Sequence, residues 1–203
     1  MNHNTEQELV NAADTVKKTS GFWKELGSWI LYFLFVIAIT YLIITFVGQR
    51  TKVDGHSMEP ALSNGDNLIV DKLSFRFRDP QRYEVIVFPY QHAENTYYIK
   101  RIIGLPGETV QVKDGAVYIN GEQLDEHFGA EPMVNAGIAA EPITLGEDEY
   151  FVLGDNRNHS SDSREPSVGV LKRDQLIGRA WLRIYPFNKI GVVKHGEEKH
   201  QRN

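Results

Sequence analysis

Tyr97-Tyr98-Ile99-Lys100-Arg101-Ile102-Ile103 has the composition of a β-strand and carries two cations in its middle. Successive side chains of a strand point to opposite faces, so Tyr98, Lys100 and Ile102 share one face and Ile99, Arg101 and Ile103 the other. The spans 67–73, 84–88, 96–103 and 179–185 are rich in the same β-branched and aromatic residues. Turn signals separate them: Asn64-Gly65-Asp66, Pro106-Gly107, Asp114-Gly115 and Asn120-Gly121. Val110 to Lys113 and Ala116 to Ile119, joined by Asp114-Gly115, read as a tight hairpin, because an Asp-Gly pair tolerates positive φ. No long amphipathic helix pattern and no internal repeat follows residue 49. The Ala, Gly and Pro content of 129–142 marks an excursion inside a small insertion around 106–149.

Working outward, the 203 residues carry 22 Lys+Arg against 27 Asp+Glu, a formal net charge of -5. This size suits one modest domain. The acidic balance, with no basic block, argues against a nucleic-acid partner. There is no cysteine, which excludes disulfides and thiolate metal sites. From 26 to 49 no residue is charged and most are large and apolar. At about 1.5 Å per residue this run exceeds the roughly 30 Å hydrocarbon core of a bilayer. The run is too long for the core of a cleavable leader, and no small-x-small site follows before Thr51, so a retained anchor is expected. Lys17, Lys18 and Lys24 before it, against Arg50 and Lys52 after it, orient the N-terminus to the cytoplasm. The expected layout is a polar tail at 1–25, a transmembrane helix at 26–49, a β-rich domain at 50–188 and a polar tail at 189–203.

Just past the apolar run lies Gly55-His56-Ser57-Met58-Glu59-Pro60. Gly55 permits unusual backbone angles and Pro60 interrupts strand pairing, so the segment is expected to be a loop presenting the Ser57 hydroxyl. The Ser57 amide is a candidate donor to the oxyanion of an attacked carbonyl. Standing alone, such a serine reads as an ordinary loop residue. As a nucleophile it needs a base. Gly-x-Ser-x-Gly and Ser-x-x-Lys both fail, since Glu stands at 59 and Pro at 60. Six of the seven histidines lie in solvated, loop-like surroundings or too close to Ser57; His159 stays open as a partner. Lys100, flanked by Tyr98 and Ile102, can be desolvated, and burial disfavours the ammonium form. A fall from about 10.4 to about 8 would cost about 3 kcal/mol. Without the serine motif, Lys100 would read as a lysine snorkelling from a strand edge. A third cluster, Gly154-Asp155-Asn156-Arg157-Asn158-His159-Ser160-Ser161-Asp162-Ser163-Arg164, is by composition a polar loop.

The three segments, in this order and after an apolar N-terminal run, resemble bacterial type I signal peptidases, also called leader peptidases. The similarity spans about residues 50 to 186 and includes a weaker match at Arg82-Tyr83-Glu84-Val85-Ile86-Val87-Phe88. It implies a mostly-β, compact signal-peptidase-like catalytic domain on a single N-terminal transmembrane helix. Ser57 is then the nucleophile and Lys100 the general base of a Ser/Lys dyad. The resemblance gives Ser160 as a hydroxyl bonded to the lysine, Asp162 with Arg164 as a supporting ion pair, and Asp155 as a partner for Arg101. It also gives Val53, Met58, Leu62, Val87 and Ile99 as walls of shallow pockets for small side chains, matching the Ala-x-Ala ends of secretory signal peptides. Three departures stand out: Gly55 where some members carry an oxyanion-donating serine, Tyr83-Glu84 for Gly-Asp, and His159 where asparagine is common. The size, single anchor and Gly55 look like the Gram-positive form.

The implied activity is removal of signal peptides from exported preproteins at the outer face of the cytoplasmic membrane. No metal or organic cofactor is implied. The expected partners are signal peptides, the lipid bilayer and the secretion translocon. Segments Met58 to Leu62 and an edge strand Val85 to Phe88 are expected to form an apolar surface beside the site that pairs with substrate. Two other readings remain: a self-cleaving Ser/Lys regulatory protease, and a non-enzymatic membrane-anchored binding domain. The first normally carries a DNA-binding N-terminal domain, where this chain has an apolar run.

Overall fold

Asp114 and Gly115 adopt φ of 52° and 77° and turn strand β5 (Thr109–Lys113) back onto β6 (Ala116–Ile119). Lys113 pairs with Ala116 and Val110 with Ile119, the expected hairpin. The computed structural model describes residues 25–41, 48–91, 96–129 and 131–196. The chain divides into two units, Met1–Thr45 and Phe46–Asn203. In the first, residues 25–41 form helix α1, exposed along its length. Among the described residues no helix is long and apolar enough to cross a membrane. The expected span 26–49 runs through 42–47, which lie outside the described residues, as do 1–24 of the N-terminal tail and 197–203 of the C-terminal one.

All the described strands belong to the second unit and pair antiparallel. Those of the large sheet are β1 (Gly48–Lys52), β2 (Asn67–Asp71), β3 (Val85–Pro89), β4 (Tyr97–Gly104), β9 (Glu149–Leu153), β10 (Leu171–Lys172) and β11 (Gly178–Tyr185). Their spatial order is β1-β2-β11-β3-β4-β9-β10, and β12 (Gly191–Val192) adds to β11. Between β4 and β9 the chain builds a second sheet from β5, β6, β7 (Glu122–Gln123) and β8 (Ile143–Thr144), in the order β7-β6-β5-β8. This excursion lies within 106–149.

The continuous apolar run of β3 has a packing cause. Val85 and Val87 join Val53, Met58, Leu62 and Ile99 in one core, whereas Ile86 and Phe88 join Phe75, Ile102 and Val152 in another. Both faces are covered, so no alternation is needed. This corrects the expectation of an exposed edge strand at Val85 to Phe88. The strand lies between β11 and β4, and Met58 and Leu62 are buried with it. A third core, including Ile103, Val110, Val117 and Phe151, packs residues of the small sheet against β4 and β9.

Two boundaries shift. The strand expected over 67–73 stops at Asp71, whose carboxylate accepts from the Leu73 and Ser74 amides and the Ser74 hydroxyl. Those bonds turn the chain into the single helical turn α2 (Ser74–Phe77). The C-terminal segment from 189 is not wholly a tail. Val192 pairs with Leu182, Val193 is buried in the core, and His195 Nδ1 accepts from the Val85 amide at 3.1 Å.

Candidate active site

After β1 the chain is pinned by two backbone bonds, from Val53 N–H to the Asp66 carbonyl (2.8 Å) and from Gly65 N–H to the Val53 carbonyl (2.9 Å). Gly55, at φ 96°, then turns the chain, and its amide donates to Asn64 Oδ1. Ser57 follows on this turn, half-buried. Its Oγ lies 2.8 Å from Lys100 Nζ, and the same amine donates to the Ile99 carbonyl at 3.1 Å. Among the described residues the Ser57 amide donates to no protein group, which leaves it available to a developing oxyanion.

Lys100 is only 3% exposed, and its amine lies 4.9 Å from the centroid of the Tyr98 ring. Burial lowers its pKa from 10.5 to about 8, against the opposing pull of Asp162, Glu165 and Asp155. A useful fraction of the amine is therefore neutral near physiological pH, and a neutral amine accepts the Ser57 hydroxyl proton.

The next residue on the strand holds the lysine in register. Arg101 and Asp155, each with a side chain 1% exposed, make two parallel bonds of 2.8 and 2.7 Å. Arg101 also donates to the Tyr83 carbonyl, and its guanidinium lies 3.9 Å from the Phe128 ring centroid. Such bidentate pairing fixes orientation as well as distance.

The loop 154–164 ties down the backbone at Ser57. The Asn156 amide donates to the Ser57 carbonyl at 3.0 Å, and Asn156 Nδ2 donates to the His56 carbonyl. Asp162 receives Arg164 Nε at 2.8 Å and Nη2 at 2.9 Å, and its Oδ2 also accepts from the Gly154 amide. The two ion pairs implied by the resemblance are thus both formed. Ser160 differs from expectation: its Oγ is buried and bonds neither Lys100 nor any other group among the described residues.

Gly154 and Asn156 are site residues that the sequence reading passed over inside a polar loop. A Cβ at 154 would stand 2.2 Å from Ser160 Oγ and 2.5 Å from the Ser57 carbonyl oxygen, so only glycine fits there. Arg157, bonded to the Gly154 carbonyl and paired with Glu126, was likewise not singled out. Its presence in the cluster was visible in sequence; its partner, 31 residues away, was not.

Ser57 and Lys100 open into a cavity of about 240 Å³ walled by Val53, Met58 and Ile99, with Tyr97 and Tyr98 beside them. Leu62 and Val87, also expected as pocket walls, are fully buried behind this lining. His159 borders the cavity and is exposed, whereas the hydrogen-bond partner of Ser57 Oγ is Lys100. Among the described residues no group of three or more His, Cys, Asp or Glu converges on a metal position.

Comparison with known proteins identifies the family. The family described as signal peptidase, peptidase S26, matches residues 26–185. A probable signal peptidase I-2 of Synechocystis is 41% identical over 183 residues, covering 87% of this chain and 80% of its own. The signal peptidase I T of Bacillus subtilis is 32% identical over 197 residues, 94% of this chain and all (100%) of its own. A crystal structure of a signal peptidase I from Enterococcus faecalis, 36% identical, covers 50% of this chain and 97% of its own with a TM-score of 0.43. The chain belongs to the signal peptidase family, peptidase S26, and is an enzyme of that serine-type class.

Proposed function

We propose that this chain is a membrane-bound endopeptidase that removes N-terminal signal peptides from exported preproteins, cutting after small residues, by a Ser57/Lys100 dyad. The observation that carries the reading is the 2.8 Å contact between the Ser57 hydroxyl and an amine that is 3% exposed. Neutral Lys100 takes the Ser57 proton as Oγ attacks the carbonyl of the last signal-peptide residue. The Ser57 amide stabilises the oxyanion, and the resulting ammonium returns its proton to the departing amine of the mature chain. Water, deprotonated by the same amine, then hydrolyses the acyl-serine and frees the signal peptide.

The substrate lies as an extended strand between segment 52–58 and the open side of β4. Among the described residues, Tyr97 to Lys100 pair with β3 on one side only, because pairing with β9 starts at Arg101. A free strand edge of this kind accepts an added strand. Val53, Met58 and Ile99 supply apolar walls, and Leu62 and Val87 set their depth from behind, which suits Ala-x-Ala ends.

The uncharged run 26–49 anchors the chain in the cytoplasmic membrane with the N-terminus inside and the peptidase outside, where preproteins emerge from the translocon. Full-length enzyme in detergent is expected to cut a preprotein at its Ala-x-Ala site. Ser57→Ala and Lys100→Ala are expected to lose at least about a thousandfold in rate. Full activity in either variant refutes the dyad.

A further inference from the structure

A second cleft, of about 340 Å³, opens beyond Ser57 between Glu59 and the loop that carries Asn156, Asn158 and His159. His159 borders both this cleft and the cavity that holds Ser57 and Lys100, so the two adjoin along one path past the nucleophile. Their walls differ in kind. The serine cavity has Val53, Met58 and Ile99, whereas the second cleft offers no large apolar side chain.

From this contrast we infer that the second cleft receives the first residues of the mature chain and favours a basic residue over an acidic one there. This rests on the signal-peptidase reading of Ser57 and Lys100. The apolar cavity suits the signal-peptide side of the cut, which leaves the polar cleft for the leaving side. Its charge is negative. Glu59 and Glu131 both line it; among the described residues the Glu59 carboxylate meets only the His56 imidazole, which is cationic only when protonated. Glu131 accepts from the neutral Asn158 amide. The one guanidinium on the wall, Arg157, is matched by two bonds to Glu126 and adds no net charge.

The test uses full-length enzyme in detergent and one signal-peptide substrate with Lys, Ala or Glu at the first two mature positions. Exposed charge pairs of this kind change kcat/KM by about fivefold, so lysine is expected to exceed glutamate by about that factor. High salt is expected to shrink the ratio. The variant Glu59→Gln/Glu131→Gln is expected to flatten it. Should that double variant lose the alanine substrate, Glu131→Gln alone, on the exposed side of the cleft, must still halve the ratio or more. Equal cutting of all three substrates by the parent overturns the inference, as does an unchanged ratio in the variants. Failure of the parent to cut even the alanine substrate overturns the peptidase reading, and this one with it.

Discussion

A methyl group at Gly154 would stand 2.5 Å from the carbonyl oxygen of Ser57, two groups 97 residues apart in the chain. The loop that follows β9 therefore presses directly on the backbone of Ser57. Gly154→Ala must displace one or the other. An error of about 1 Å at a reacting group costs about a hundredfold in rate. We expect kcat to fall by about that factor while thermal unfolding stays cooperative; an unchanged kcat would show that the contact yields without moving Ser57.

The pH dependence of cleavage follows from Lys100. In the proposed dyad its neutral form is the base, and its pKa is lowered by burial to about 8. The kcat/KM is expected to rise about tenfold per pH unit below pH 8 and to level above it. The profile is measured with a peptide whose own groups do not titrate in that range. An acid limb centred near 10.5 contradicts the buried-amine account.

The same shift carries a stability cost with a definite sign. The unfolded chain keeps the Lys100 proton up to 10.5, the folded one releases it at about 8. Below pH 8 the penalty is fully present, and stability rises with pH between the two values. Lys100→Met keeps the packing, removes that penalty, and is expected to stabilise the fold by about 2 kcal/mol at neutral pH while abolishing cleavage. Chemical denaturation at several pH values reads both effects; a destabilised methionine variant would show that the Ser57 bond outweighs the burial cost.

Asp155→Asn leaves the Arg101 guanidinium buried at 1% exposure without its carboxylate. Removing one partner of a buried pair costs about 3–5 kcal/mol. Denaturant midpoints are expected to fall accordingly, with activity lost in parallel because Arg101 adjoins Lys100 on β4. A loss below about 1 kcal/mol would mean that the Phe128 ring and the Tyr83 carbonyl suffice to hold the charge.

His195 makes the C-terminal segment acid-sensitive. Burial lowers its pKa from 6.5 to about 4, so the unfolded chain takes up a proton that the folded one refuses. Stability is expected to fall as pH drops from 6.5 and to stop falling near 4, by about 2 kcal/mol after allowing for the ring's partial exposure. His195→Gln is expected to flatten this slope. An identical slope in parent and variant would assign the acid sensitivity elsewhere.

Local chemistry was readable residue by residue. Asp114-Gly115 announced its hairpin because positive φ is a property of those two residues. The alternation through 97–103 placed Lys100 between Tyr98 and Ile102, and the amine is buried as that spacing suggested. The edge assignment of Val85 to Phe88 failed for a physical reason: a run apolar on both faces belongs inside a sheet, and the pairing with β11 that encloses it is not written locally. The seal made by His195 on Val85 was equally hidden, since it joins positions 110 residues apart.

By itself the sequence determined the Asp114-Gly115 hairpin and the strand that carries Lys100, and it singled out Ser57 and Lys100 as the candidate pair, with two supporting ion pairs implied by the family resemblance. The hairpin and the strand follow from the backbone freedom of particular residues and the period of a strand, and the candidate pair from a resemblance carried by three ordered segments. Only the tertiary structure decided that Tyr97 to Lys100 keeps one open edge, that Gly154 must lack a side chain, and that Ser160 Oγ stands unengaged. Those facts depend on close approach between segments distant in the chain, and packing of that kind is fixed by the whole fold.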